Sequence, residues 1–263
     1  MLDGVFAHLP FDRLLQDGEI LARLGVDPEI YLRQEVVQAI AAGGFREERA
    51  LAPRLTRKTL HAPFFDLFPG SGDPEIRQLS WTRLDRVMDL GAEWGADLVV
   101  MHPNYDPIYY RHQIGDWIAR AADFFGSLAE KTPGRPPIAI ENIAEETPHI
   151  ARQLIAAIGN PRVFHCFDFG HHHVFSRLPF EQWLAGLAPS GHLHFHLHDN
   201  FGDDDHHLPL GRGDISWERV SRVLGELEIP YSLTLEAHSL PDLQESVVAY
   251  RRLFHDLPIA TVP

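Results

Sequence analysis

Cysteine, lysine and long apolar runs are all scarce in this 263-residue chain. The single cysteine, Cys166, excludes an internal disulfide framework and fits a reducing cytoplasm. No apolar run approaches the roughly 18 residues that a transmembrane helix needs. The opening segment MLDGVFAHLPFDRLL places Asp3 and Asp12 where a secretory leader carries basic residues, so a cytoplasmic protein is expected. Lys58 and Lys131 are the only lysines among 23 basic residues, and 37 acidic residues oppose them, giving 23 − 37 = −14. Such a chain repels phosphate polyanions unless metal ions or a local basic patch reverse the sign, which argues against nucleic acid as a partner. A small-molecule substrate is expected instead, with no membrane role, and no subunit interface is legible.

Seventeen histidines stand out against this background, because they crowd into a few short segments. Those segments punctuate a regular alternation. Short apolar or β-branched runs occur at 3–9, 27–32, 58–61, 97–102, 137–141, 163–168, 193–198 and 231–236. Amphipathic helical stretches follow most of them, at 11–24, 34–42, 75–95, 113–131, 147–158, 180–187, 216–227 and 241–254. Asp73-Pro74 and Pro241 mark helix starts. Eight alternations in a chain of this length predict an α/β fold, a single (β/α)8 TIM-barrel domain over 1–263. A doubly wound open sheet usually has a glycine-rich loop after its first strand, and HLPFDRLL contains no glycine.

Strand parity places the chemistry. Along 231–236, Tyr231, Leu233 and Leu235 share one face, while Ser232, Thr234 and Glu236 share the other. The small polar set is expected to face the barrel axis. The same parity sends His61, His102, Glu141, Asp168 and His196 inward, each near the C-terminal end of its strand, where barrels of this type place active sites. Unpaired carboxylates are costly to bury, so this convergence calls for cations. Histidine and carboxylate without thiolate suit zinc, manganese, cobalt or iron. His171 follows Asp168 by three residues, and Asp205 with His207 forms a second pair on the loop after strand seven.

Other residues have plainer readings. His172, His173 and His206 are read as solvated spectators, His194 as core, and His198 as a residue that orients a ligand. Arg212 is a candidate contact for an anionic substrate group. Phe64, Phe65, Phe68, Tyr105, Tyr109 and Tyr110 are candidate walls of a pocket. Lys58 shares the outward parity of Leu60 and Lys131 ends a helix, which excludes Schiff-base aldolase chemistry from an inner strand face.

The segments LHAPF, VMHPNYD, IAIEN, FDFGHHH, FHLHDN, HHLPLGRGDISW and LTLEAH resemble the xylose-isomerase-like, or endonuclease-IV-like, TIM-barrel superfamily. The resemblance runs from His61 through Glu236. For the sugar isomerases and epimerases of that group, it implies one divalent ion held by Glu141, Asp168, His196 and Glu236. For the endonuclease IV branch, it implies up to three zinc ions, with His61, His102, His171, Asp205 and His207 as added ligands. In many of the epimerases the position of His207 is an arginine that contacts substrate.

Two enzymatic readings follow, and a non-catalytic carrier on the same barrel is a distant third. The first is a metal-dependent isomerase or epimerase of carbohydrate metabolism, acting on a hydroxy-carbonyl compound through an enediolate. Glu141 and Glu236 would be its acid and base, and His61, His102, His171, His207 and Arg212 its substrate contacts. The alternative is a multi-zinc phosphoester hydrolase. The net charge and the acidic mouth loops weigh against duplex DNA as its substrate.

Overall fold

The computed structural model describes residues 2, 4–187 and 191–254. Eight parallel strands close into one barrel in chain order. They are β1 (Val5–Pro10), β2 (Asp27–Tyr31), β3 (Thr59–His61), β4 (Val99–Met101), β5 (Ile138–Glu141), β6 (Val163–Asp168), β7 (Leu193–Leu197) and β8 (Tyr231–Leu235). The closing pair, β1 with β8, sets Val5 beside Leu233 and Phe6 beside Thr234. All eight expected strands therefore form: β6 has the expected bounds, β1 runs on to Pro10, and the other six are slightly shorter. Asp3, which opens the first expected strand, lies outside the described residues.

Ten α-helices wrap the barrel among the described residues: α1 (Leu14–Leu24), α2 (Gln34–Ala41), α3 (Arg46–Leu51), α4 (Pro74–Trp94), α5 (Ile114–Glu130), α6 (His149–Ile158), α7 (Phe169–Phe175), α8 (Phe180–Leu187), α9 (Trp217–Gly225) and α10 (Leu240–Leu253). Local chemistry starts several of them. Asp73 caps α4 by accepting from the Glu75 amide at 2.8 Å, with Pro74 in the first turn. Ser239 caps α10 by accepting from the Asp242 amide. Two helices, α3 and α7, are absent from the sequence expectation. The α7 run FGHHHVF holds a glycine, three histidines and a valine, all weak helix formers. The Asp168 side chain compensates by accepting from the His171 amide at 2.6 Å.

The barrel interior is layered. Leu98, Val100, Ala139, Phe164 and Cys166 form a small apolar plug of their own. The far larger apolar core lies between strands and helices and includes Tyr231, Leu233 and Leu235, as parity requires. Other inward-facing positions are polar and fully buried: Glu29, Thr59, His194, Ser232 and Thr234. The metal-ligand candidates stand at the strand ends. Neighbouring strands put Glu141 beside Cys166 and Asp168 beside His196, so side chains from different strands meet at one level.

Candidate metal centre and active site

A cavity of about 860 Å³ opens at the C-terminal mouth of the barrel. His61, His102, Glu141, His171, Asp205, His207 and Glu236 all line it, and Asp168 and His196 are buried against them. Glu141 is the hub. Its Oε2 lies 3.3 Å from His61 Nε2 and 3.1 Å from His102 Nε2. Its Oε1 lies 3.2 Å from His171 Nδ1 and 3.5 Å from His196 Nδ1. His196 Nδ1 also stands 3.1 Å from Glu236 Oε2 and 3.8 Å from Asp168 Oδ2. Asp205 Oδ2 completes the cluster at 3.3 Å from His171 Nε2 and 3.0 Å from His207 Nε2.

The hydrogen bonds reveal what this cluster is prepared to hold. His61 Nδ1 contacts the Ala62 carbonyl at 2.9 Å, His171 Nδ1 the Asn142 carbonyl at 3.0 Å, and His207 Nδ1 the Glu236 carbonyl at 3.4 Å. A carbonyl only accepts, so each Nδ1 carries a proton, and the Nε2 of each neutral ring presents a lone pair to a carboxylate. Lone pairs facing carboxylates repel unless a proton or a metal ion lies between them. Backbone carbonyls that fix the far nitrogen are also the usual supports of metal-binding histidines. Several buried atoms aimed into the cluster, His102 Nε2, Asp168 Oδ2, His196 Nδ1, Asp205 Oδ1 and Glu236 Oε2, make no hydrogen bond. Such orphans are costly, and coordination would satisfy them.

Without ions, protons do this work. Burial pushes the Glu141 carboxyl up, but the imidazoles of His196, His102 and His171 outweigh it and hold it well below the usual range. Burial would likewise lower His171, yet Asp168, Asp205 and Glu141 raise it well above its ordinary value. His207 is raised to about 9, because Glu236 and Asp205 outweigh its desolvation. Carboxylates and protonated imidazoles at this density are the charge pattern that divalent ions replace.

Among the five sets of possible ligands in the described residues, three matter most, and the first two share Glu141. Glu141, Asp168, His196 and Glu236 offer ligand atoms within 4.8 Å of one another; so do His61, His102 and Glu141, and so do His171, His198, Asp205 and His207. The residue types fit zinc, manganese, cobalt or iron. The third set depends on the loop between β7 and α9, which is fastened from within. Asp199 accepts from the Asn200, Gly211 and Ile215 amides and from Trp217 Nε1, and its backbone pairs with Leu208 in both directions.

A profile of the xylose isomerase-like TIM barrel matches residues 26–253. The chain belongs to that family. Among its relatives is the uncharacterized protein MJ1311 of Methanocaldococcus jannaschii, 26% identical over 71% of this chain and 66% of that protein. The protein TTHB071 of Thermus thermophilus, solved after soaking with zinc chloride, superposes with a TM-score of 0.76 at 26% identity, covering 96% of this chain and 98% of its own. A D-tagatose 3-epimerase-like protein has the same fold, with a TM-score of 0.77 at 21% identity over 95% and 97% of the two chains.

Some candidate residues of this family member fall elsewhere. Arg212 is exposed and pairs with Glu245 rather than reaching the cavity. Its loop points it at α10, which supplies a carboxylate partner. Phe64, Phe65, Phe68 and Tyr105 do line the cavity, with Phe64 stacked on His102 at 4.2 Å. Tyr110 instead packs beside Trp117, and Tyr109 is 76% exposed. His192 precedes β7 and packs against Phe164. His206 contacts only its own loop, so His206→Ala should leave metal content within error of wild type by elemental analysis. Loss of an ion in that variant would show that the loop is held differently.

Three residues escape the sequence reading. His8 lines the cavity with Nδ1 3.7 Å from Glu236 Oε1, and burial lowers its pKa to about 4 despite that carboxylate. His238 stacks on His207 at 3.9 Å, and His207 stacks on His198 at the same distance. Glu29 lies below the cavity. The sequence does carry a signal for it, since a glutamate in the middle of a barrel strand with inward parity needs partners.

Proposed function

We propose that the chain is a divalent-metal-dependent isomerase or epimerase acting on a sugar or related hydroxy-carbonyl compound. One observation carries the reading: Glu141 and Glu236 both line the cavity and approach the same nitrogen of His196, at 3.5 and 3.1 Å. Two carboxylates thus flank the ion position defined by Glu141, Asp168, His196 and Glu236. Those four residues would hold a divalent ion, which would supply Lewis acidity to stabilise negative charge on adjacent substrate oxygens. Glu236 takes the proton from carbon on one face, and Glu141 returns one on the other. His61, His102 and His171 hold substrate hydroxyls. Phe64 and Tyr105 shield the reacting carbon from water. The resemblance in fold to sugar epimerases agrees with this reading without carrying it.

A second reading, phosphoester hydrolysis by a multinuclear centre, is favoured by the other oxygen of Glu141, which faces His61 and His102. Charge separates the two. With one ion at the inner position, the carboxylates of Glu141, Asp168, Asp205 and Glu236 and the protonated His171 and His207 sum to +2 − 4 + 2 = 0, which gives a phosphate no pull. With three ions the sum is +6 − 4 = +2, which attracts it.

Elemental analysis of protein purified without chelators or a polyhistidine tag therefore tests both readings. One ion per chain, together with deuterium uptake from heavy water into a ketose or aldose, is the expected result. Two or three zinc ions with phosphoester cleavage and no such uptake would replace the first reading with the second. A chain that carries no metal and takes none up would overturn both.

A further inference from the structure

Glu29 is fully buried beneath the cavity, in the middle of β2, and it touches three other strands. Its Oε2 accepts from Thr59 Oγ1 of β3 at 3.0 Å and from Thr234 Oγ1 of β8 at 2.9 Å. Thr234 has one hydroxyl proton and gives it to Glu29, so its contact with His194 Nε2 at 3.0 Å must be donated by the imidazole. His194 Nδ1 then accepts from Ser232 Oγ at 2.7 Å. Each proton in this layer is accounted for, and Glu29 is left as a carboxylate with its Oε1 free. That oxygen faces His196 Nε2 across 3.1 Å, and neither atom makes a hydrogen bond elsewhere. The opposite nitrogen, Nδ1, is the one turned to Glu236, Glu141 and Asp168.

We propose that Glu29 is a positioning residue that keeps a proton on His196 Nε2, so that Nδ1 is always the nitrogen offered to the innermost metal ion. The proposal rests on the ion site in the functional reading above, not on the reaction assigned to it. Chemistry favours the assignment. An imidazole has two nitrogens of similar basicity, and the one hydrogen-bonded to a carboxylate holds the proton. A buried carboxylate behind a metal-binding histidine fixes the ring and makes it a stronger ligand, typically by about 10- to 100-fold in metal affinity. Thr59, Thr234 and the His194 chain keep Glu29 from turning away, because all of them converge on its other oxygen. The polar layer in the barrel then serves as a mounting for one histidine.

The test uses zinc alone, with no substrate. Competitive titration against a chelating dye should show the tightest zinc of Glu29→Gln bound about 10- to 100-fold more weakly than in wild type, with an unchanged far-ultraviolet circular dichroism spectrum. Equal affinity in the two proteins would overturn the proposal while leaving the functional reading intact. The zinc form of the wild-type protein, labelled with ¹⁵N-histidine, supplies a second decision that does not depend on the variant folding. Nitrogen resonances of His196 should show a protonated Nε2 and a coordinated Nδ1. Coordination through Nε2, or an Nε2 without a proton, would overturn the proposal. Failure of the wild type to bind zinc at all would remove the ion site, and the functional reading would fall with it.

Discussion

Glu236→Gln is expected to lower turnover by about 10²- to 10⁴-fold, the range for loss of a group that moves a proton in the transition state, the role proposed for Glu236. The variant removes charge and basicity while keeping the size of the side chain. Glu236 follows β8 directly, and its backbone amide bonds to the Leu197 carbonyl at 3.0 Å, so the strand end is anchored independently of the carboxylate. The fold should therefore persist, with a near-native melting curve. The amide also removes a charged oxygen from 3.1 Å beside His196, so the innermost ion binds more weakly. The two effects separate at saturating metal: occupancy should be restored, but deuterium uptake into substrate should not. Wild-type turnover at saturating metal would rule out proton transfer by this residue.

Gly170→Ala is the change expected to damage stability most. A methyl group at Gly170 would lie 1.9 Å from Cε1 of His198 and 2.3 Å from its Nε2. The ring has nowhere to go. It is fully buried, is stacked on His207 at 3.9 Å, and touches Asp168 Oδ1 at 3.1 Å. Overpacking a rigid buried site costs about 1–3 kcal/mol and sometimes more, and the depth of this clash points to the upper end. For a chain of this size, about 3 kcal/mol corresponds to a melting point lower by roughly 6–12 °C. A loss under about 2 °C would mean that the first turn of α7 moves far more freely than its bonds imply. The double variant Gly170→Ala, His198→Ala should recover much of the loss, since the obstacle is a single ring.

Barrel architecture and most of the residues gathered at the cavity are legible in the sequence for a physical reason. Strand parity is strict, so one polar residue among apolar neighbours, such as Glu141 after Ile138, Ala139 and Ile140, can be assigned a face without a structure. Order along the chain then brings His61, His102, Asp168, His196 and Glu236 to the same rim. Parity says nothing about where loop residues go. Arg212 reads as a substrate contact because it is cationic and near the ligands in sequence, but Glu245 on α10 holds it outside. Helix α7 is hidden because its propensity is poor, and a side chain already needed by the site supplies its cap. Glu29 obeys parity as well as any ligand. It is easily passed over because its partners, Thr59, His194, Ser232 and Thr234, are ordinary polar residues from distant segments, and only closure of the barrel puts them in one layer.

The loop between β7 and α9 carries Asp205 and His207, yet its shape is set by Asp199, which gathers three amides and an indole around one carboxylate. Ordering a long loop has an entropic cost, and here bonds already present in the bare protein meet it. A second ion at Asp205 and His207, as the multinuclear reading would have it, would not need to fold its own cradle. Its binding free energy would be left for tightness or for gripping substrate, and its loss would leave the loop in place.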